Sequence, residues 1–283
     1  MLVTAQLVIW FYLMPKFSVL AAFSNFNFSI IVLATLLIAI GGYILNDIKD
    51  LPIDKINTPD KVWIPSVVSE KTAYLYSYGF TGIGLVLGLY VSISISYYIG
   101  FLWFVIPVIL LYYYAVKAKK VLLIGNVLVS FLVSFSMIII VIFPFIIADS
   151  LRYKYFKNIL IALIFFSFTL NLIREIIKDA EDVIGDKANG VRSIPIVFGY
   201  AKTNQIVIII SSSIIGALLF IAIMAFRNNE LMLGLYLIFG VVMAFILFIQ
   251  QLIKATEVKH YTKLSTLLKI IMLVGMLSVF MLK

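Results

Sequence analysis

The 283-residue chain contains no cysteine and a single histidine, His260. The first absence excludes disulfides, thiolate metal sites and cysteine nucleophiles. The second excludes a histidine metal cluster and leaves one candidate for any imidazole base. Charge is scarce too. Charged residues make up 12% of the chain, against about 25% in an ordinary soluble domain. Hydrophobic residues make up 64%, and the mean hydropathy is +1.15. So few charges cannot coat a soluble globule of this size. The composition therefore excludes a soluble enzyme, a disordered chain and a nucleic-acid module.

What is present is hydrocarbon in long runs. Nine apolar segments stand out, near 1–14, 27–46, 73–95, 99–116, 122–147, 156–174, 203–226, 231–253 and 264–282. Runs of about 20 apolar residues match the thickness of a bilayer. The first run lacks the charged lead-in and cleavage site of a secretory signal and reads as a true helix. Nine spans put alternate loops on opposite sides. Fifteen of the 22 basic residues fall in the loops near 47–72, 117–121, 175–202 and 254–263. The positive-inside rule makes that side cytoplasmic. The expected location is the cell's inner or plasma membrane, with the bilayer as a partner and one domain over 1–283. The net charge of +9 is read first as this topology signal.

The acids are more biased still. Ten of 13 lie in two stretches on the same side, 47–70 and 175–186. Topology does not require them there. One stretch, preceded by Asn46, contains Asp47, Asp50 and Asp54, and the other Asp179, Asp182 and Asp186. Both read D-x-x-D-x-x-x-D, and each aspartate of one is offset by 132 positions from its counterpart. Steps of three and four place side chains on one face of a helix. Three carboxylates side by side near a low-dielectric boundary need a counter-charge. Hard oxygen donors suit Mg²⁺, which takes one or two carboxylates together with substrate phosphates. Two facing clusters predict Mg²⁺ ions with a diphosphate between them. The simpler reading, loop carboxylates paired with nearby lysines, does not account for two matched sets.

These motifs resemble those of the UbiA-type intramembrane prenyltransferases. The resemblance runs over nearly the whole chain in helix count and motif placement. Asn46, Asp47, Asp50 and Asp54 match its N-D-x-x-D-x-x-x-D after the second helix; Asp179, Asp182 and Asp186 match its second acidic motif after the sixth. Asn57-Thr-Pro-Asp-Lys61 is similar to N-x-P-x-R, with lysine for arginine. Arg174-Glu-Ile-Ile-Lys178-Asp179 is similar to R-E-x-x-K-D, and Gly190 to Pro195 to G-x-x-T-L-P. A fourth stretch, Tyr112 to Lys120 followed by Gly125-Asn126, matches the region whose tyrosine and lysine reach the diphosphate. Spacing to Gly125 favours Lys119; a Tyr-x-x-x-Lys spacing favours Tyr113 with Lys117. Pro52, inside the first motif, is expected to bend the helix and shift Asp54 from the common face.

The resemblance implies an all-α polytopic fold: about nine transmembrane helices around a central cavity, with cytoplasmic cap loops. It implies transfer of a prenyl group from a prenyl diphosphate to a lipophilic acceptor. The six aspartates would be the catalytic metal ligands for Mg²⁺. Asn46, Lys61, Tyr113, Lys117, Lys119, Arg174, Lys178 and Arg192 would contact the diphosphate. Tyr43 and Tyr113 are the aromatics nearest the motifs for facing an allylic cation. The Arg174–Asp186 run and Leu123 to Asn126 look most like the branch that transfers geranylgeranyl to geranylgeranylglyceryl phosphate. An aromatic acceptor of the 4-hydroxybenzoate or naphthoquinone type is the alternative. An ion-coupled transporter is the non-enzyme alternative; the span interiors, nearly free of acids, argue against it.

Overall fold

The computed structural model describes residues 2–21, 23–143, 145–147 and 150–283. The side chains of residues 20, 21, 61, 145–147 and 150–152 lie outside that description. The chain is helical almost throughout. It runs as α1 (Leu2–Lys16), α2 (Asn25–Asn57), α3 (Glu70–Ser94), α4 (Tyr98–Val116) and α5 (Ile124–Ile142). It continues as α6 (Ser150–Glu181), the short α7 (Val183–Ala188), α8 (Ile194–Arg227), α9 (Leu231–Ile253) and α10 (Val258–Met281). A small antiparallel ribbon pairs β1 (Val19–Ala21) with β2 (Phe145–Ile147).

Among the described residues, eight helices are long and apolar enough to cross a membrane; α1 is the shorter ninth apolar helix. At about 1.5 Å per residue α1 reaches about 22 Å, less than the ~30 Å hydrocarbon core. A π-turn over Ile9–Leu13 widens it further. The segment expected near 122–147 is helical only over Ile124–Ile142, and Phe145–Ile147 turns into the ribbon instead.

Local chemistry sets several boundaries. Ser24 and Ser69 cap α2 and α3 by accepting from the amides of Asn27 and Thr72, each at 3.2 Å. Pro52 does not end α2; the helix passes through it to Asn57. Gly199, at φ +76°, interrupts α8 after its first five residues. A side chain there would strain the left-handed backbone.

Helix α2 packs closely on α3 through small residues. The Ser77 hydroxyl donates to the Gly41 carbonyl at 2.7 Å. A Cβ on Gly84 would stand 2.9 Å from the Ala34 carbonyl oxygen. Such small-residue contacts drive helix association where lipid removes the hydrophobic force. The buried side chains form two large clusters that share α6. Phe156 and Leu160 belong to the α1–α5 half, whereas Leu170, Ile173 and Ile177 belong to the α8–α10 half. A third, small cluster of Ile48, Ile64 and Ala73 pins the α2–α3 loop against the end of α2.

Candidate active site

The first acidic cluster sits on the last three turns of α2. Asp47, Asp50 and Asp54 share one helix face, as their spacing predicted. Asp50 is 5% exposed. It accepts from the Asn46 side-chain amide at 2.6 Å and pairs with the Lys119 ammonium. Asp47 accepts from the Trp63 indole N–H at 3.0 Å. Trp63 is held there because neighbouring Ile64 is buried against Ile48. Asp54 is half-buried.

The second cluster is not carried by one uninterrupted helix, and this differs from the sequence expectation. Asp179 lies in the last turn of α6 and accepts from the Asn126 side-chain amide at 2.8 Å. Asp182 sits in the break, with φ −95° and ψ 6°, at the N-cap of α7. Asp186 lies inside α7, is 3% exposed, and its Oδ1 is buried without a hydrogen-bond partner. The chain bends at Asp182 but keeps helical spacing, since the Asp186 amide donates to the Asp182 carbonyl at 3.1 Å. All three carboxylates therefore still line one cavity.

That cavity lies between the ends of α4, α5, α6 and the start of α8. Its walls include Tyr114, Lys119, Asn126, Glu175, Lys178, Arg192 and Ser193. Gly125 brings the α4–α5 turn close: a Cβ there would meet the Ala118 carbonyl and the Lys119 Cα at 3.2 Å. Lys119 and Lys178 lie within electrostatic reach of Asp47 and Asp54 on one side and of Asp182 and Asp186 on the other. Lys119 thus pairs with the first cluster while lining the cavity of the second, and Lys178, on the helix of the second, is in electrostatic reach of both. Burial raises the Asp182 carboxyl above the usual range against the pull of Lys178. Burial also raises Asp186, to about 6, with Lys119 opposing and Asp182 and Asp50 adding to it.

The structure separates the sequence candidates. Lys119, Lys178 and Arg192 line the cavity. Tyr113 and Lys117 are exposed outside it, and the neighbouring Tyr114 takes the wall position. Arg174 donates to Glu175 at 2.8 Å, and it is Glu175 that faces the cavity. Lys61 ends the turn Pro59–Lys61, but its side chain lies outside the described part. Tyr43 is 66% exposed and stands one turn into the span from Asp47, on the aspartate face of α2. Sequence reasoning did not assign roles to Asn57, Trp63, Tyr114, Asn126 or Ser193. Asn57, Tyr114, Asn126 and Ser193 stood inside the matched motifs without a role of their own, and Trp63 stood in none.

The donor set fits Mg²⁺. Its oxygens are hard and anionic, and the Asp186 Oδ1 is buried with no partner. Ser193 likewise presents a buried hydroxyl without a partner in the cavity wall. Among the described residues, no three carboxylates gather tightly enough to enclose an ion alone.

The sequence profile of the UbiA prenyltransferase family matches residues 7–272. The chain belongs to the UbiA prenyltransferase family. It is a polytopic integral membrane prenyltransferase. Among similar UbiA proteins is the digeranylgeranylglyceryl phosphate synthase of Sulfolobus acidocaldarius. It is 31% identical over 252 residues, 88% of this chain and 82% of that protein. The synthase of the same description from Methanococcus aeolicus is 38% identical over 184 residues, covering 62% of this chain and 60% of that one. Solved UbiA folds agree. A UbiA homologue from Aeropyrum pernix K1 superposes with a TM-score of 0.70 at 12% identity, covering 99% of this chain and 98% of that chain. A UbiA homologue from Archaeoglobus fulgidus bound to GPP and Mg²⁺ superposes with a TM-score of 0.59 at 12% identity, covering 98% and 96%.

Proposed function

We propose that this UbiA-family enzyme transfers a geranylgeranyl group from its diphosphate to geranylgeranylglyceryl phosphate, in a Mg²⁺-dependent reaction on the cytoplasmic face. The observation that carries the chemistry is Lys119, which pairs with Asp50 of the first carboxylate cluster and lines the same cavity as Lys178 and the three aspartates of the second. The likeness to digeranylgeranylglyceryl phosphate synthases across most of the chain supports the choice of acceptor. The GPP and Mg²⁺ bound by a fold neighbour support the donor class and the metal.

Asp47, Asp50 and Asp54 would hold metal on one side, and Asp179, Asp182 and Asp186 on the other. Asn46 orients Asp50, Trp63 orients Asp47, and Asn126 orients Asp179. Bound Mg²⁺ would supply positive charge to the diphosphate oxygens. Lys119, Lys178 and Arg192 add fixed positive charge from the protein. The allylic C–O bond breaks, and its electron pair leaves with the diphosphate. The free glycerol hydroxyl of the acceptor then closes a new C–O bond at the allylic carbon and passes its proton to the released diphosphate. Most of the rate gain is electrostatic stabilisation of the leaving group. Tyr43, on the aspartate face of α2, would be the aromatic nearest the first motif, where a cation–π contact contributes about 0.5–2 kcal/mol.

The test is a transfer assay with purified protein and radiolabelled geranyl, farnesyl or geranylgeranyl diphosphate. The acceptors are geranylgeranylglyceryl phosphate, 4-hydroxybenzoate and a dihydroxynaphthoate. The expected product is the doubly prenylated glycerol phosphate, lost with EDTA and restored by Mg²⁺. A prenylated aromatic ring as sole product would overturn the acceptor.

A further inference from the structure

Helix α7 has an unusual N-terminus. Its N-cap residue is Asp182, one of the best residues for accepting from the amides of the first turn. Yet the Asp182 side chain makes no cap hydrogen bond. The amide it would be expected to take, that of Gly185 at the third helical position, is already occupied. The Asn57 Oδ1 accepts from Gly185 N at 2.8 Å, reaching across 128 residues from the end of α2. The Asn57 Nδ2 donates to the Asp182 carbonyl at 3.1 Å. Gly185 leaves room for this: a Cβ would stand 2.7 Å from both polar atoms of the Asn57 amide.

We propose that Asn57 caps α7 in place of Asp182, and so keeps the Asp182 carboxylate turned into the cavity for metal and diphosphate. An N-terminal amide left without a partner is a strong local attraction for a nearby carboxylate. Without Asn57, Asp182 swings back onto its own helix and leaves the cavity. The same amide ties the last residue of α2 to the α6–α7 break, and so sets the register between the two acidic motifs. Asn57 is a positioning residue, since both polar atoms of its amide are engaged by the backbone of α7 and it acts through Asp182. The inference rests on the metal–diphosphate reading of the site.

The experiment measures Mn²⁺ binding by electron paramagnetic resonance on full-length protein in detergent, with inorganic diphosphate present. Wild type binds Mn²⁺; if it does not, the metal reading itself fails. Asn57→Ala is expected to weaken binding about tenfold or more, the range for partners that orient metal ligands. Gly185→Ala, which pushes the amide out, gives a similar loss. In the Asn57→Ala background, Gly185→Ala adds nothing further, because the two changes break one contact. Wild-type Mn²⁺ affinity in either single variant overturns the proposal. Losses that add in the double variant also overturn it. Loss of the folded state in both singles, read as a collapsed thermal transition, makes Asn57 a stability residue and overturns the positioning role.

Discussion

Single residues decide which of several adjacent candidates does the work. Lys117 and Lys119 are two positions apart, and the sequence offers equal reason for either. The turn between α4 and α5 settles their placement by bringing Lys119 onto Asp50 and leaving Lys117 exposed. Lys119→Met should lower kcat/KM for the prenyl diphosphate by about 10²-fold, the scale for removing one preorganised charge from a leaving group. Lys117→Met should stay within about threefold of wild type. Equal losses in a steady-state assay would reject the assignment. Asp50→Ala and Asp182→Ala should each abolish turnover while the protein still elutes as a monodisperse peak in detergent. Turnover at the wild-type rate in either variant would remove the six aspartates from the metal role. The placement of the first aspartate motif on one helix face was legible in the sequence, because period-three and period-four spacing encodes such a face directly; the break at Asp182 in the second was not. Trp63 on Asp47 and Ser193 in the cavity wall were not. Their positions depend on how loops fold back, and nothing periodic records that.

At the scale of elements, helix existence was legible and helix ends were not. Apolar run length locates a span, but caps and breaks fix its limits. Pro52 shows the difference. Sequence argues for a disruption there, and α2 nevertheless continues for five residues beyond the exposed proline before it ends at Asn57. Helix α7 shows the reverse. Continuous D-x-x-D-x-x-x-D spacing suggests one helix, and the chain breaks at Asp182 instead. The same end of the molecule has a comparable polar joint, where α8 meets the α9–α10 turn. Asn204 on α8 donates to the carbonyls of Leu252 and Ala255 at 3.2 and 3.0 Å, and accepts from the Tyr261 hydroxyl at 3.0 Å. All of these groups are buried, so each bond lost leaves an unsatisfied partner costing about 1–3 kcal/mol. Asn204→Ala should therefore lower the detergent thermal midpoint by several degrees, and Tyr261→Phe by less. Unchanged midpoints would show that the joint between α8 and the α9–α10 turn contributes no stability.

For the whole molecule, the absence of cysteine becomes an experimental asset. Single cysteines at Lys187 and Lys259, on the acidic side, should react with an impermeant maleimide only after the cytoplasmic face is exposed. A cysteine at Asn229 should react from the opposite face. Labelling of Lys187→Cys in intact cells would invert the topology inferred from the loop charges. The sidedness comes from residue counting; the packing of two half-bundles onto a shared α6 has no counterpart in the sequence pattern. One further property belongs to the long, unbroken α2. It is locked to α3 at Gly41 and carries Asp47, Asp50 and Asp54 with no joint in between. An inserted residue between Gly41 and Asn46 would turn everything beyond it by about 100° and advance it about 1.5 Å. The carboxylates would then swing away from Lys119, toward the side now occupied by Ile48, Leu51 and Lys55. Over evolutionary time this helix can exchange many of its letters but not its letter count.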